Sequence, residues 1–317
     1  MKIIRPKLKS TEHSDDLREW VPSSFDSFLI ELDHIISSCE GEDPAPLFRG
    51  QTNYEWFVDS TFVRNCIQHI FTISDYHKLK NEIRHTVSFH RTITSLHLLK
   101  FGTVWKPSQE SFEKEKYDGI DPWFELLKNL QQYPERDYFI NGTFLVDWSR
   151  SKDIALYFAT YRGKGKTRSV SSGNGAVWIC DAVATGETRQ AKKLGEILSL
   201  MSGEEFLNGN KTFPLLFHPS KQTFQPRSIN QVPVYIAQMD FRYDLADVWA
   251  SYEDKNKKRV FIKLILSENL KNSAVKYLES QGVTEDLVYP ERGMHNLLVH
   301  LTGVSLRFTP AGLGVRR

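Results

Sequence analysis

The sequence predicts an α+β fold in which a mixed, largely antiparallel sheet forms the core and helices flank it. Strand-like and helix-like segments follow one another without the strict alternation that parallel βαβ units require. The strand-like segments are short apolar runs bounded by turn residues, whereas the helical segments repeat their apolar residues at spacings of three and four. No segment recurs with a period of about 20–50 residues, so the sequence argues against a repeat architecture.

Composition narrows the class of protein. The chain has 317 residues and a net charge of +2, which argues against a surface that binds nucleic acid over its whole extent. Cys39, Cys66 and Cys180 are odd in number and widely spaced, so neither a disulfide framework nor a CxxC metal site is expected. The N-terminal residues lack the apolar core of a signal peptide, and no apolar run approaches the ~18–20 residues of a membrane span. We therefore expect a soluble, cytoplasmic protein with no metal and no membrane partner.

The first half of the chain is predicted to hold one strand and three helical segments. Residues 1–21 are polar and are expected to be irregular, ahead of a single domain at 22–305. Ser23 or Ser24 caps a helix that ends at Gly41, because the apolar residues that follow the serines share one helical face. The strand is the run LFRG at 47–50, and the other helical segments are predicted at 75–99, with Leu79, Ile83, Val87 and Ile93 buried, and from Asp121 to Leu130.

The second half carries most of the predicted strands. Residues 162–174 are rich in glycine, serine and basic residues, which is typical of a solvated loop, and residues 306–317 are expected to form a frayed tail. The predicted elements are a strand at 142–149, a helix at 151–161, a buried strand at 175–182, a helix at 188–201, strands at 232–241 and 259–266, a helix from Ser267 to Gly282, and a helical segment at 293–302.

Arg49 and Gly50, at the end of the first strand, are the first candidate site residues. A guanidinium group matches phosphate oxygens in bidentate fashion, and a glycine lets either a backbone or a ligand come close. The alternative is a structural arginine paired with a carboxylate such as Asp43 or Asp147. Gln51 follows directly and extends the same polar run.

Asp147, Trp148 and Ser149 form a second candidate group, where a strand gives way to a helix. The N-terminus of that helix favours anions, so the polar residues beside it suit ligand contacts. The alternative is that Asp147 and Ser149 only cap and turn the chain while Trp148 packs in the core.

The third candidate stretch is residues 226–241. Gln238 and Asp240 lie two apart on an extended run and are expected to project together. Pro233 is expected to restrict the start of the run to an edge strand or a loop. In contrast, Glu82, His85 and His90 lack the spacing of a zinc site.

These stretches resemble the FRG domain family, which is named for a Phe-Arg-Gly motif. The resemblance covers about residues 25–302, nearly the whole chain. The matching segments are FRGQ at 48–51, LVDWSRSKDIALYFA at 145–159, GAVWI at 175–179, Arg227 and Gln231 followed by Tyr235, and SQGVTEDLVYPERGMHNLL at 280–298. Two departures stand out. The family's His-His-Gly-Leu-Pro-Thr-Arg run is replaced by RDYFINGTF at 136–144, and Pro233 replaces a glycine. An altered or weakened activity would follow if those histidines are catalytic in relatives.

The order of the motifs is also similar to ADP-ribosyltransferase-like domains, which place an arginine on the first strand, then a serine motif, then a late Glu or Gln. That similarity implies NAD as the substrate. Arg49 would hold the pyrophosphate, and Gly50, Gln51, Asp147 and Arg227 would also belong to the cofactor-binding site. Ser149 and Trp148 would position the nicotinamide ribose, and Gln231 or Asp240 would steady its oxocarbenium-like transition state. A carboxylate does this better than an amide, because the developing charge is positive.

Two functions remain open at this level. The first is an ADP-ribosyltransferase-like effector that transfers or hydrolyses ADP-ribose, acting on nucleic acid or protein as a toxin or in bacterial defence. The second is a non-catalytic module that recognises a nucleotide or a phosphorylated ligand through the same Arg49 cleft.

Overall fold

The computed structural model describes ten stretches of the chain. They are residues 19–39, 46–70, 83–97, 142–163, 165–181, 215–217, 226–256, 260–290, 307–309 and 312–314.

A seven-stranded sheet organises the described residues. Its order is β1-β9-β6-β2-β3-β8-β7, and each neighbouring pair is antiparallel except β1 with β9. The predicted α+β fold with a mixed, largely antiparallel sheet is therefore confirmed. The sheet strands are β1 (Glu19–Trp20), β2 (Leu47–Gln51), β3 (Leu145–Ser149), β6 (Gly175–Cys180), β7 (Leu215–Phe217), β8 (Pro233–Ala237) and β9 (Phe261–Leu266).

Helices and two small hairpins complete the described architecture. The hairpin strands are β4 (Tyr161–Arg162) with β5 (Ser169–Val170), and β10 (Arg307–Thr309) with β11 (Gly312–Gly314). The helices are α1 (Phe25–Ser38), α2 (Thr61–Ile70), a helix over 87–97, α3 (Lys152–Thr160), α4 (Pro226–Gln231), α5 (Leu245–Asn256), α6 (Lys271–Ser280) and α7 (Glu285–Val288).

The two faces of the sheet are covered by different apolar clusters. On one face, here called the α3 face, Phe48, Val177 and Ile179 pack with residues of α1, α3 and α6. On the other, here called the tryptophan face, Trp148 and Trp178 pack with residues of α5. Because successive side chains of a strand point to opposite faces, the position of a residue along its strand decides which of the two clusters it joins.

Gly50 lets α3 lie directly on β2. A Cβ built on Gly50 would lie 1.8 Å from the carbonyl oxygen of Ala155 and 2.7 Å from the amide nitrogen of Ala159. Ser151 begins the helix, since its side chain accepts a hydrogen bond of 3.3 Å from the amide of Ile154. The glycine predicted to allow a close approach therefore does so for a helix backbone.

Several predicted elements differ in extent from those observed. α1 ends at Ser38 instead of Gly41. Residues 19–20, predicted to be irregular, form β1, because they pair with the buried strand β9. The tail predicted at 306–317 contains the β10–β11 hairpin. Ser267 precedes a short 3₁₀ turn, Glu268–Leu270, before α6 begins at Lys271.

Other differences concern burial and missed elements. Helix α2 was not predicted from the sequence. In the predicted 75–99 helix, Ile83 lies in a turn and is 45% exposed, while Ile93 is buried as predicted. Pro233 starts an interior strand, not an edge strand or a loop, because the first residue of a strand tolerates a missing N–H. The helices predicted at 121–130, 188–201 and 293–302 lie outside the described residues.

Candidate functional site

Three remote stretches of the chain line one cavity of about 220 Å³. Six residues predicted for the site border it: Arg49, Gly50, Asp147, Trp148, Ser149 and Gln231. The other described residues of the wall are Phe48, Ile154, Ala155, Phe158, Pro233 and Tyr235. The cavity therefore lies on the α3 face, between the ends of β2, β3 and β8 and one side of helix α3.

The cavity borders the point where β2 and β3 separate. Phe48 and Ser149 form the one residue pair between these strands, although both strands continue beyond it. The backbone groups of Phe144 and Arg150 bond to the β8 side, so by alternation those of Asp147 face β2. The guanidinium of Arg49 donates from Nη1 to the carbonyl of Asp147 and so replaces a hydrogen bond between the two strands.

The guanidinium of Arg49 keeps unused hydrogen-bonding capacity. Arg49 is paired in register with Trp178, so its side chain starts on the tryptophan face of β2. From there its guanidinium extends to the place where β2 and β3 separate. Its Nε is buried and has no hydrogen-bond partner among the described residues. Within the same residues, no carboxylate forms an ion pair with it, and Asp147 contacts it through a backbone carbonyl. The alternative partner, Asp43, lies outside the described residues.

The electrostatics around Arg49 favour an anion. Desolvation by burial lowers the pKa of Arg49 to about 10, and repulsion from Arg64 acts in the same direction. The charges of Asp147 and Asp59 oppose this shift without cancelling it. Because a desolvated cation gains most from a counter-charge, an anionic group brought to this guanidinium would be stabilised there.

Ser149 and Gln231 are joined to each other and to the chain around them. The hydroxyl of Ser149 donates to the backbone carbonyl of Gln231 at 2.6 Å and accepts from the amide of Ser151 at 3.0 Å. The side-chain nitrogen of Gln231 donates to the carbonyl of Val288 at 2.8 Å. Gln231, expected near the start of a strand, is instead the last residue of helix α4.

Asp147 supplies the negative charge of the cavity wall. It is exposed, and it is the one carboxylate among the described residues that border the cavity. Its register partner on β8 is Tyr235, so the two side chains start from the same face of the sheet.

Two predicted ligand-binding residues lie on the wrong face. Gln51 is 3% exposed, accepts from Nε1 of Trp178 at 2.7 Å and donates to the carbonyl of Phe57 at 3.1 Å. The indole of Trp148 packs against Trp249 in the tryptophan-face cluster, with ring centroids 5.4 Å apart. The predicted roles of Gln51 and Trp148 in binding are therefore wrong for these side chains, and Trp148 has only its main chain left to border the cavity.

Asp240 is also remote from the cavity. It is 1% exposed, and both of its carboxylate oxygens accept from the guanidinium of Arg242, the closest contact being 2.8 Å. His90 lies 3.7 Å away, and Gln238 belongs to a neighbouring buried network with Asp59. The alternation that placed Gln238 and Asp240 together ends with the strand at Ala237. A catalytic role for Asp240 at this cavity is therefore wrong.

Arg227 remains a prediction. Its backbone lies in α4, but its side chain is outside what the structure describes. Within the described part of the chain, no group of three or more His, Cys, Asp and Glu residues is arranged to hold a metal ion.

Two contributors to the site were not predicted from the sequence. Arg64, in the first turn of α2, repels Arg49, and its Nη2 donates to Thr61 at 3.1 Å. Val288 orients Gln231 through a backbone carbonyl. Nothing in the neighbouring sequence indicated either role. Arg64 lies in a helix that was not predicted, and Val288 acts through its main-chain carbonyl.

The cavity combines one cation with hydrogen-bond acceptors and an apolar wall. Its volume is below the roughly 300–1,000 Å³ of sites that enclose a whole drug-sized ligand, so it suits one part of a larger ligand. A sugar or a nicotinamide ring fits this description better than a complete dinucleotide.

No protein-family model, curated protein or solved structure matches this chain. None of the helices in the described stretches is both long enough and apolar enough to cross a bilayer.

Proposed function

We propose that this chain is an FRG-domain protein that binds NAD in the cavity and transfers or hydrolyses its ADP-ribose. The observation that supports the proposal is the convergence of Arg49, Asp147, Ser149 and Gln231 on one cavity from three remote stretches. These residues follow one another in the order of an ADP-ribosyltransferase-like site. Acceptors of the transfer would be nucleic acid or protein, in the setting of a toxin or a defence effector.

Each residue has a role that its surroundings permit. Arg49 offers unused guanidinium donors to the pyrophosphate oxygens. Ser149 and Gln231 border the place for the nicotinamide ribose. With Asp240 elsewhere, Asp147 is the group that can stabilise positive charge as the glycosidic bond to nicotinamide lengthens.

One observation favours the second candidate, a non-catalytic module that binds a nucleotide or a phosphorylated ligand. The hydroxyl of Ser149 and the amide nitrogen of Gln231 are already used in bonds to the protein's own carbonyls. Groups held in this way suit recognition of a ligand more than proton transfer.

Nicotinamide release separates the two candidates. The full-length protein would be incubated with NAD, and free nicotinamide would be followed over time for wild type, Arg49→Ala and Asp147→Asn. Arg162→Ala is the control, because Arg162 is exposed on the β4–β5 hairpin. Release that is lost in both site variants and kept in the control would support transfer or hydrolysis. NAD binding without nicotinamide release, with protein and nucleic-acid acceptors alike, would leave the recognition module. A protein that does not bind NAD at all would overturn the first candidate.

A further inference from the structure

We infer that Arg168 is a positioning residue for Gln231, and that it acts from outside the cavity through Glu285 and helix α7. The inference rests on the function proposed above, because it concerns one wall of the same site. It depends on three contacts in series: the seat of Arg168 on the β4–β5 hairpin, the attachment of that hairpin to α7, and the attachment of α7 to Gln231.

Arg168, which directly precedes β5, is held by two aromatic rings. Its guanidinium carbon lies 4.0 Å from the ring centroid of Tyr161 and 5.5 Å from that of Tyr157. A guanidinium is attracted to the negative face of an aromatic ring, and the attraction strengthens as water is excluded. Tyr157 is buried in α3 and Tyr161 begins β4, so Arg168 ties the hairpin to the helix that forms one side of the cavity.

Glu285 joins the hairpin to α7. Its Oε2 lies 3.7 Å from Nη1 of Arg168, and its Oε1 accepts a hydrogen bond of 2.5 Å from the amide of Gly165. The side chains of Arg168 and Glu285 are 25% and 18% exposed, so solvent screens this pair less than a fully exposed pair. Because Glu285 is the first residue of α7, these two contacts fix the start of that helix on the hairpin.

The side chain of Gln231 is oriented by the other end of α7. Its Nε2 donates to the carbonyl of Val288 at 2.8 Å. Beside it, Nδ2 of Asn230 donates to the carbonyl of Leu287 at 2.7 Å. α7 has four residues, and a helix this short is held in place by its contacts more than by its own hydrogen bonds. Loss of the contact to the hairpin should therefore displace the carbonyl that orients Gln231 in the cavity wall.

Arg168 acts at a distance from the ligand, and Arg162 offers a matched comparison. Arg168 is absent from the described lining of the cavity, so its effect on a ligand there must pass through other residues. Arg162 carries the same charge on the same hairpin, but its side chain is exposed and, within the described residues, forms no ion pair with Glu285. Removal of either arginine changes the charge of the hairpin equally, so a difference between the two variants reports on the contact to α7.

The contacts between Arg168, α7 and Gln231 can be tested without a ligand on the full-length protein. Arg168→Met removes the charge and keeps an unbranched side chain. The amides of Val288 and Tyr289, which form backbone hydrogen bonds of α7, should then exchange about threefold to tenfold faster. The side-chain amide signals of Gln231 in a nitrogen–proton correlation spectrum, identified by their absence in Gln231→Met, should shift. Arg168→Lys should reverse most of both effects because it keeps the charge, and Arg162→Met should leave both observables as in wild type.

A double-mutant cycle tests whether the effect on NAD passes through Gln231. Arg168→Met alone should raise the NAD dissociation constant, measured by titration calorimetry, by about threefold to tenfold. Gln231→Met has no side-chain nitrogen to bond to Val288, so the addition of Arg168→Met to it should change the affinity by no more than about twofold. A merely structural Arg168 would give the same factor in both backgrounds.

Glu285→Gln is the second variant, in case Arg168→Met does not fold. It removes the negative charge but keeps an oxygen that accepts from Gly165. The exchange of the α7 amides and the signals of Gln231 should therefore change in the same direction as in Arg168→Met. Thermal melting of each variant reports whether it folds.

The outcomes keep this inference apart from the proposed function. Amide exchange and Gln231 signals that stay unchanged in both Arg168→Met and Glu285→Gln overturn the inference, while NAD cleavage by the wild type would still support the function. Faster exchange in α7 with unchanged Gln231 signals also overturns the inference, because the step to the cavity is then missing. Equal factors in the two backgrounds of the cycle do the same. Changed exchange and changed signals in a protein that does not bind NAD support the positioning of Gln231 and overturn the transferase.

Discussion

A Cβ atom on Gly50 would lie 1.8 Å from the carbonyl oxygen of Ala155, well inside any permitted contact. The glycine of the Phe-Arg-Gly motif is therefore required by helix packing. α3 carries Ile154, Ala155 and Phe158 into the cavity wall, so its distance from β2 also sets the width of the site.

Gly50→Ala is expected to destabilise the fold by about 3 kcal/mol, because the clash is with backbone atoms that cannot rotate away. Urea unfolding measures the loss. Gly173→Ala is the control: nothing lies within 4 Å of its added Cβ, and its φ of +72° costs about 1–2 kcal/mol. Equal losses in the two variants would contradict the packing argument.

Arg49→Ala is expected to weaken NAD binding by roughly ten- to a hundredfold, the contribution of a charge-assisted hydrogen bond. Arg49→Lys should recover part of the affinity, because an ammonium keeps the charge but loses the planar fork. Titration calorimetry measures both. Arg162→Ala should bind as wild type does, since its side chain is exposed. An unchanged affinity in Arg49→Ala would remove the anion site from the proposed function.

Gln51→Leu is expected to separate folding from binding. Trp178 is 1% exposed and would lose its acceptor, so stability should fall by about 1–3 kcal/mol. NAD affinity should not change in protein that remains folded, because Gln51 lies on the tryptophan face. A loss of affinity comparable to that of Arg49→Ala would restore the predicted binding role of Gln51.

Ser149→Ala is expected to cost about 1–3 kcal/mol of stability, because the carbonyl of Gln231 and the amide of Ser151 both lose a partner. Thermal or urea unfolding measures the cost. Ser172→Ala, at an exposed serine, should stay within about 0.5 kcal/mol of wild type. If the two serines behaved alike, the bridge between β3 and α4 would not contribute to stability.

The buried pair of Asp59 and Arg84 should make stability depend on pH. Burial acts to raise the pKa of Asp59, but Arg84 and the hydrogen bonds of the carboxylate outweigh burial and hold that pKa below its ordinary 3.8. A lowered pKa means that the carboxylate stabilises the fold above about pH 4 and loses this effect as the pH falls.

Arg84→Met removes the main counter-charge of Asp59 and should cost about 3–5 kcal/mol at pH 7. Burial would then raise the pKa of Asp59 above 3.8, so the loss should be smaller at pH 4 than at pH 7. Urea unfolding at the two pH values measures it. Lys152→Met breaks the exposed 2.6 Å pair with Asp33 and should cost less than about 1 kcal/mol at either pH. A loss in Arg84→Met that did not vary with pH would contradict this account.

Much of the fold was predictable because its signals are local. Apolar runs between turn residues located β2, β3, β6 and β9, and a serine cap before small apolar residues located α3. β1 was missed because a two-residue strand is stabilised by distant partners. Glu19 and Trp20 form a strand only because they pair with Lys263 and Leu264. α2 was missed although its buried residues Phe62, Val63, Cys66 and Ile67 recur at helical spacing.

The sequence by itself determined the fold class and the main elements, since each depends on neighbours along the chain. The grouping of Arg49, Ser149 and Gln231 as candidate site residues came from the order of motifs along the chain. Only the tertiary structure decided which polar side chains face the cavity. The register of the strands places Gln51 and the indole of Trp148 on the tryptophan face. Strand β8 ends before Asp240, and that residue forms a buried ion pair with Arg242. The physical reason is that alternation along one strand predicts only which side chains share a face of the sheet. Which face that is, and which residues they contact, depends on strands and helices that are remote in sequence.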